Sequence, residues 1–156
     1  MSEHLAIVDW SRDGARFVDN RYSRAHRWEF DGGATIPASA SPHIVPPPLS
    51  DPAGVDPEEA FVASIASCHM LFFLSFAAKR GLVIDSYRDQ SVGVLEKDAE
   101  GRLAITVVTL RPHVVFSGDV PAAEDVEAIH IAAHEACFIA TSVKTEIRTE
   151  PTYAVS

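Results

Sequence analysis

Two cysteines, Cys68 and Cys137, are the only thiols in the 156-residue chain. Cys68 stands between Ser67 and His69 in an otherwise apolar run, and small residues surround both cysteines. Two thiols held within disulfide range can do one particular piece of chemistry. A thiolate attacks a peroxide oxygen, and the second thiol captures the sulfenic acid that results. A buried cysteine is also a serviceable small hydrophobe, so inert packing stays open for both. A second constellation is His130, His134 and Cys137 at i, i+4 and i+7, with Glu127 just before. Imidazole and thiolate are zinc ligands. Spread over ~10 Å of one straight helix, however, these three cannot reach a single ion, so no metal and no other cofactor is expected.

Composition narrows the classes. The formal net charge is −9, against nucleic acid or an anionic membrane as the main partner, since both select clustered Lys and Arg. The N-terminus shows no cationic segment followed by an apolar run, so no secretory signal is expected. Two cysteines without a signal fit a reducing compartment, and the expected location is the cytoplasm. The run Phe61 to Ala78 is long enough for a membrane span. Ser64, Ser67, His69 and Ser75 interrupt it, and charged residues flank it, which fits a soluble helix better. The length predicts one domain over residues 1–156.

The elements that position these residues follow from pattern and punctuation. Asp56, Pro57, Glu58 and Glu59 form a strong helix start, and Lys79, Arg80 and Gly81 a strong stop. The helix between is apolar or small on almost every face, the pattern of a helix buried all round. Before it, Leu5 to Trp10 and Arg21 to Phe30 read as strands. The second puts Arg24 and His26 on its apolar parity, which reads as an edge strand with snorkelling charges. Ile36 to Val55, with six prolines, reads as a loop that shapes a site or an interface. Beyond the helix, Val83 to Glu96 and Leu103 to Phe116 read as two long strands of a hairpin. Ala122 to Cys137 reads as a second helix introduced by Asp119 and Pro121, with Ala128, Ile129, Ala132, Ala133 and Ala136 as its small apolar side. Glu146 to Val155 reads as a last strand. The order β-β-α-β-β-α-β predicts an α+β domain, a mostly antiparallel sheet wrapped around two helices.

The run Asp56-Pro57-Glu58-Glu59-Ala60-Phe61-Val62-Ala63-Ser64-Ile65-Ala66-Ser67-Cys68 resembles the signature of the OsmC/Ohr family: Pro-Glu-Glu, an alanine-rich apolar helix, and a cysteine ten residues after the first glutamate. The second cysteine and the β-rich order of the whole chain also fit. The resemblance implies a thiol peroxidase that reduces organic hydroperoxides, works as an intertwined homodimer, and is recycled by a dithiol such as a lipoylated protein. It implies Cys68 as the peroxidatic thiol, Cys137 as the resolving thiol, and Glu58 as the carboxylate that orients a catalytic arginine. Arg24 is the first choice for that arginine, with Arg27 and Arg21 behind it. Charge logic agrees: a thiol in an apolar helix is inert unless a fixed cation lowers its pKa. A guanidinium also has the planar fork that a carboxylate can hold.

The chain departs from the pattern in three places. His69 follows Cys68 where an apolar residue is common, the proline and basic residue often found after the second cysteine are absent, and the proline-rich loop is unusual. These mark a side branch. The competing readings are a non-catalytic small-molecule-binding or stress protein on the same fold, and a zinc-binding protein.

Overall fold

A computed structural model describes residues 1–118 and 121–156. The expected contribution of Asp119 to the second helix start lies outside the described residues. The chain divides into two compact units, Met1–Ala60 and Phe61–Ser156, and the boundary falls inside the long helix.

In the first unit, β1 (Ala6–Asp9), β2 (His26–Phe30) and β3 (Thr35–Ala38) form an antiparallel sheet with β2 in the middle. Two expectations are corrected here. The strand expected from Arg21 starts only at His26, and it is the central strand, not an edge. β3 lies in the stretch expected to be all loop. Pro37 is tolerated because β3 is an edge strand, and its carbonyl accepts the Val55 N–H at 3.0 Å. The rest of the proline-rich segment is irregular and is pinned to this edge, where Ser39 Oγ accepts the Asp51 N–H at 2.9 Å.

Helix α1 (Pro57–Lys79) begins and ends as its sequence dictates. Asp56 Oδ1 accepts the Glu59 N–H at 2.7 Å and Glu59 Oε2 accepts the Asp56 N–H at 3.1 Å, a reciprocal capping box. At the far end Gly81 takes φ +76°, and the Leu82 and Gly81 N–H groups bond back to Ala77 and Ala78. That is the left-handed termination glycine permits.

The second unit holds the core. Strands β4 (Val83–Asp89), β7 (Pro112–Ser117) and β9 (Thr152–Val155) make one sheet, and β5 (Val92–Lys97), β6 (Leu103–Leu110) and β8 (Glu146–Thr149) another. The hairpin pairs, β4 with β7 and β5 with β6, are antiparallel, while β8 and β9 join in parallel. The two long strands expected are therefore four shorter ones, and the last strand is two. Pro112 lacks the N–H a continuous ladder needs, Asp89 Oδ1 accepts the Arg111 N–H at 2.7 Å where the chain changes sheets, and Pro151 divides β8 from β9. One cluster joins Phe73 and Ala77 of α1 to Val114, Phe116, Val126, Ile129 and Ala133; another joins Ile65 to Val108 and Leu110. Each large side chain buried there contributes about 1.5–3 kcal/mol.

Helix α1 is not buried all round. Only the stripe Ile65, His69, Phe73 and Ala77 is fully buried, whereas Ala63, Ser67, Leu71 and Ser75 are exposed. One core covers one stripe of a helix, whatever the composition of its other faces. By length and composition α1 could cross a membrane, but its buried stripe is the middle of a protein core. The second helix, α2 (Ala123–Ala136), ends before Cys137, and a short helix α3 (Phe138–Thr141) follows.

Candidate dithiol site

Cys68 lies on α1, half-buried. Cys137 is 1% exposed and, contrary to expectation, is not helical. It sits at the break between α2 and α3 with φ −68° and ψ 112°, and its Sγ accepts the Ala140 N–H at 3.3 Å. The thiol therefore caps α3. Both cysteines are free, and they lie near enough for the Cys68 thiol to act on the pKa of Cys137. Burial first, then the Cys68 thiol, raise the pKa of Cys137, while the Ala140 N–H pulls it down. Phe138, the next residue after Cys137, is 71% exposed, with its ring edge-on to Phe72 of α1 at 5.1 Å. Nothing in the helical pattern of the sequence marks the break at Cys137.

A pair of imidazoles accompanies the thiols. His69 Nε2 and His130 Nδ1 are 3.0 Å apart, and the two residues are 1% and 4% exposed. The His130 ring also stacks on Phe73 at 4.2 Å. Among the described residues, His69 Nδ1 and His130 Nε2 have no hydrogen-bond partner. Burial holds both imidazoles down to about 4; Asp89 opposes the shift of His69 and His134 adds to it, while His69 adds to the shift of His130. In the sequence His130 stood out only as one of three candidate zinc ligands aligned on a helix. Its spacing from Val126, Ile129 and Ala133, and that of His69 from Ile65 and Phe73, were the available signals of burial. His130 thus faces His69, and the described residues hold no group of three ligands placed for a metal ion.

The remaining candidates belong to the first unit. Arg24 donates through Nη1 to the Asn20 carbonyl at 2.9 Å and through Nη2 to Asn20 Oδ1 at 2.7 Å, and its guanidinium lies 3.9 Å from the centre of the Tyr22 ring. It lines a cavity of about 460 Å³ walled by Val8, Trp10, Phe17, Tyr22 and His26. Phe17 and Tyr22 stack at 4.7 Å, and Trp10 meets Tyr22 edge-on at 5.3 Å. Arg27 is spent on Asp9 and Glu29, at 2.9 and 2.6 Å. Arg21 is exposed. Within this unit Glu58 does not pair with Arg24, and its Oε2 is buried with no partner among the described residues. A larger cavity of about 740 Å³, lined by Phe61 and the β5–β6 turn, contains neither cysteine.

An α+β fold with one free thiol at a break between helices and a second near it defines a class of small dithiol proteins. Residues 50–152 match the family model described as OsmC-like protein, and the chain belongs to that family. It is 59% identical to an OsmC-like protein of unknown function from Vibrio cholerae, over 97% of this chain and 99% of that one, with a TM-score of 0.95. Two organic hydroperoxide resistance proteins share the fold at 16% identity. One, from Legionella pneumophila, has a TM-score of 0.64 over 99% of this chain and 98% of its own. The other, from Bacillus subtilis, has a TM-score of 0.62 over 98% of each chain. No protein of curated description matches the chain.

Proposed function

We propose that the protein is a thiol-dependent peroxidase that reduces organic hydroperoxides, with Cys68 as the peroxidatic and Cys137 as the resolving thiol. The proximity of the two free thiols is the observation that carries this reading. The Cys68 thiolate attacks the outer oxygen of ROOH and the O–O bond breaks. Cys68 becomes a sulfenic acid, and the alkoxide leaves as ROH after taking a proton. Cys137 gives up its proton, its thiolate attacks the sulfenic sulfur, and the displaced hydroxide takes that proton. A Cys68–Cys137 disulfide forms and water departs. A dithiol such as a lipoylated protein then exchanges with the disulfide, becomes oxidised itself, and restores both thiols.

Arg24 supplies the fixed positive charge that favours thiolate and polarises the peroxide, and Glu58 holds that guanidinium in the working state. Both reach Cys68 from a second chain, so the active protein is a homodimer, and the exposed apolar face of α1 around Leu71 is covered in it. Cytoplasmic reducing conditions keep the pair cycling. The names of the Legionella and Bacillus proteins support the substrate class.

The test is consumption of cumene hydroperoxide by wild type, Cys68→Ser and Cys137→Ser, with monothiol and dithiol reductants compared. Cys68→Ser should lose all turnover. Cys137→Ser should lose turnover with the dithiol and keep part of it with a monothiol. Unchanged consumption by Cys68→Ser overturns the assignment.

A further inference from the structure

The buried stripe of α1 carries one polar side chain among apolar ones: Ile65, His69, Phe73 and Ala77. On α2 the buried residues are Val126, Ile129, His130 and Ala133, again with a single imidazole. The two imidazoles meet, His69 Nε2 to His130 Nδ1 at 3.0 Å, and the His130 ring lies on Phe73 at 4.2 Å. Such a pair is a poor filling for a core. Its outer nitrogens, His69 Nδ1 and His130 Nε2, are buried and unpartnered among the described residues. Each carries a desolvation cost that an apolar side chain would not. Stability therefore does not account for the pair. What it has is direction: a hydrogen bond is narrow in length and angle, whereas apolar burial is non-directional.

We propose that the His69–His130 bond is the positioning device of the thiol pair, holding α1 against α2 so that Cys68 and Cys137 close into a disulfide. The inference rests on the dithiol reading. His69 is the residue after Cys68, so any turn of α1 about its axis moves both together. α2, which carries His130, ends at Ala136, directly before Cys137. The Cys137 N–H donates to the His134 carbonyl at 3.2 Å, so a movement of α2 reaches the second thiol. A disulfide accepts Cβ separations of only about 3.5–4.5 Å. The apolar contact nearest in sequence to the thiols, Phe72 edge-on to Phe138 at 5.1 Å, involves a ring that is mostly exposed. The directional bond between the same two helices supplies the tighter constraint.

The test is the equilibrium of the intact protein with oxidised and reduced dithiothreitol at pH 7, read by intact mass after alkylation of the remaining thiols. In that exchange the two cysteines are oxidised to the disulfide, and oxidised dithiothreitol takes up the two electrons and two protons. His69→Leu/His130→Leu should keep a urea midpoint near that of reduced wild type, while its disulfide becomes about tenfold less favoured. His69→Gln, whose amide reaches as far as Nε2 and can donate or accept, should stay within about twofold of wild type. His69→Asn, the same amide one methylene shorter, should fall like the leucine variant, and this comparison stands if the double variant does not fold. Val114→Ala opens a hole in the same core without touching the pair. It should lower the urea midpoint and leave the disulfide equilibrium unchanged. A wild-type equilibrium in the leucine or asparagine variant, or an equal fall in Val114→Ala or His69→Gln, overturns the positioning. Wild-type protein that forms no disulfide at any dithiothreitol ratio overturns the dithiol reading, and the positioning with it.

Discussion

His69 on α1 and His130 on α2 face each other, Nε2 to Nδ1 at 3.0 Å, with their rings parallel to within 5°. One N–H···N bond joins two neutral rings, and a proton on the accepting nitrogen would break it. Each is held down to about 4 by burial, against an ordinary value of 6.5. A folded pKa below the unfolded one means the unfolded chain takes up protons first as pH falls. The stabilisation from the pair is complete above pH 6.5 and is lost between 6.5 and about 4. One shift of this size is worth about 3 kcal/mol. Urea midpoints should fall across that window. They should fall less in the His69→Leu/His130→Leu double variant, which removes both partners and leaves no lone imidazole. A midpoint flat from pH 7 to 4.5 in wild type would contradict the pairing.

The two thiols should differ sharply toward an alkylating reagent. Cys68 is half-buried, whereas Cys137 is 1% exposed with a raised pKa. A raised pKa lowers the thiolate fraction near neutral pH, and the thiolate is the reactive form. Iodoacetamide at pH 7 should label Cys68 at least about tenfold faster than Cys137, with the gap narrowing as pH rises. One equivalent of cumene hydroperoxide should then remove both free thiols without a covalent dimer, read by intact mass. A reduced Cys137 after oxidation would exclude it as the resolving thiol.

How much of this was legible in the sequence depends on whether a signal is local. The limits of α1 were fully legible, because Asp56, Glu59 and Gly81 act within a few residues of themselves. The hairpin of β5 and β6 was legible for the same reason. The division of the long strands was not read, although Pro112 and Pro151 marked both breaks, because an apolar alternation continues across them. The break at Cys137 left no such mark. It is made by the thiol capping α3, a role rare for cysteine. The His69–His130 bond is a contact between residues 61 positions apart, and no spacing rule reaches that far. Arg24 was singled out by resemblance, but its hold on Asn20 and Tyr22 arises where the chain leaves the expected strand.

Gly93 on β5 lets the sheet approach α1 in the second unit. A Cβ there would lie 2.6 Å from Val62 Cγ2 and 3.3 Å from Ile105 Cγ2. Val62 is β-branched on a helix and has little rotamer freedom to retreat. Gly93→Ala should therefore cost about 1–3 kcal/mol despite the better strand propensity of alanine. Adding Val62→Ala should return part of that loss, a coupling seen in a double-mutant cycle of urea midpoints. Additive losses would mean that the two residues do not press on each other.

Glu58 provides the test of assembly. Helix α1 runs unbroken from Pro57 to Lys79, so the ten residues between Glu58 and Cys68 span ~15 Å of axis. A carboxylate that holds a guanidinium must touch it, and a guanidinium that activates a thiol must be near that thiol. Glu58 and Cys68 of one chain therefore cannot share a site, and Glu58 Oε2, buried and without a partner among the described residues, suits a guanidinium that moves to it on assembly. In a homodimer each site then takes Cys68 from one chain and the Arg24–Glu58 pair from the other. Mixing equal amounts of Glu58→Gln and Cys68→Ser chains under exchange makes half the dimers mixed. One of the two sites in each mixed dimer keeps both groups. About a quarter of wild-type turnover should return from two nearly inactive parents, measured as cumene hydroperoxide consumption after exchange. Sedimentation should show a dimer before and after mixing. Full activity from a monomer at nanomolar concentration, or no recovery from a verified mixed dimer, would overturn the shared site.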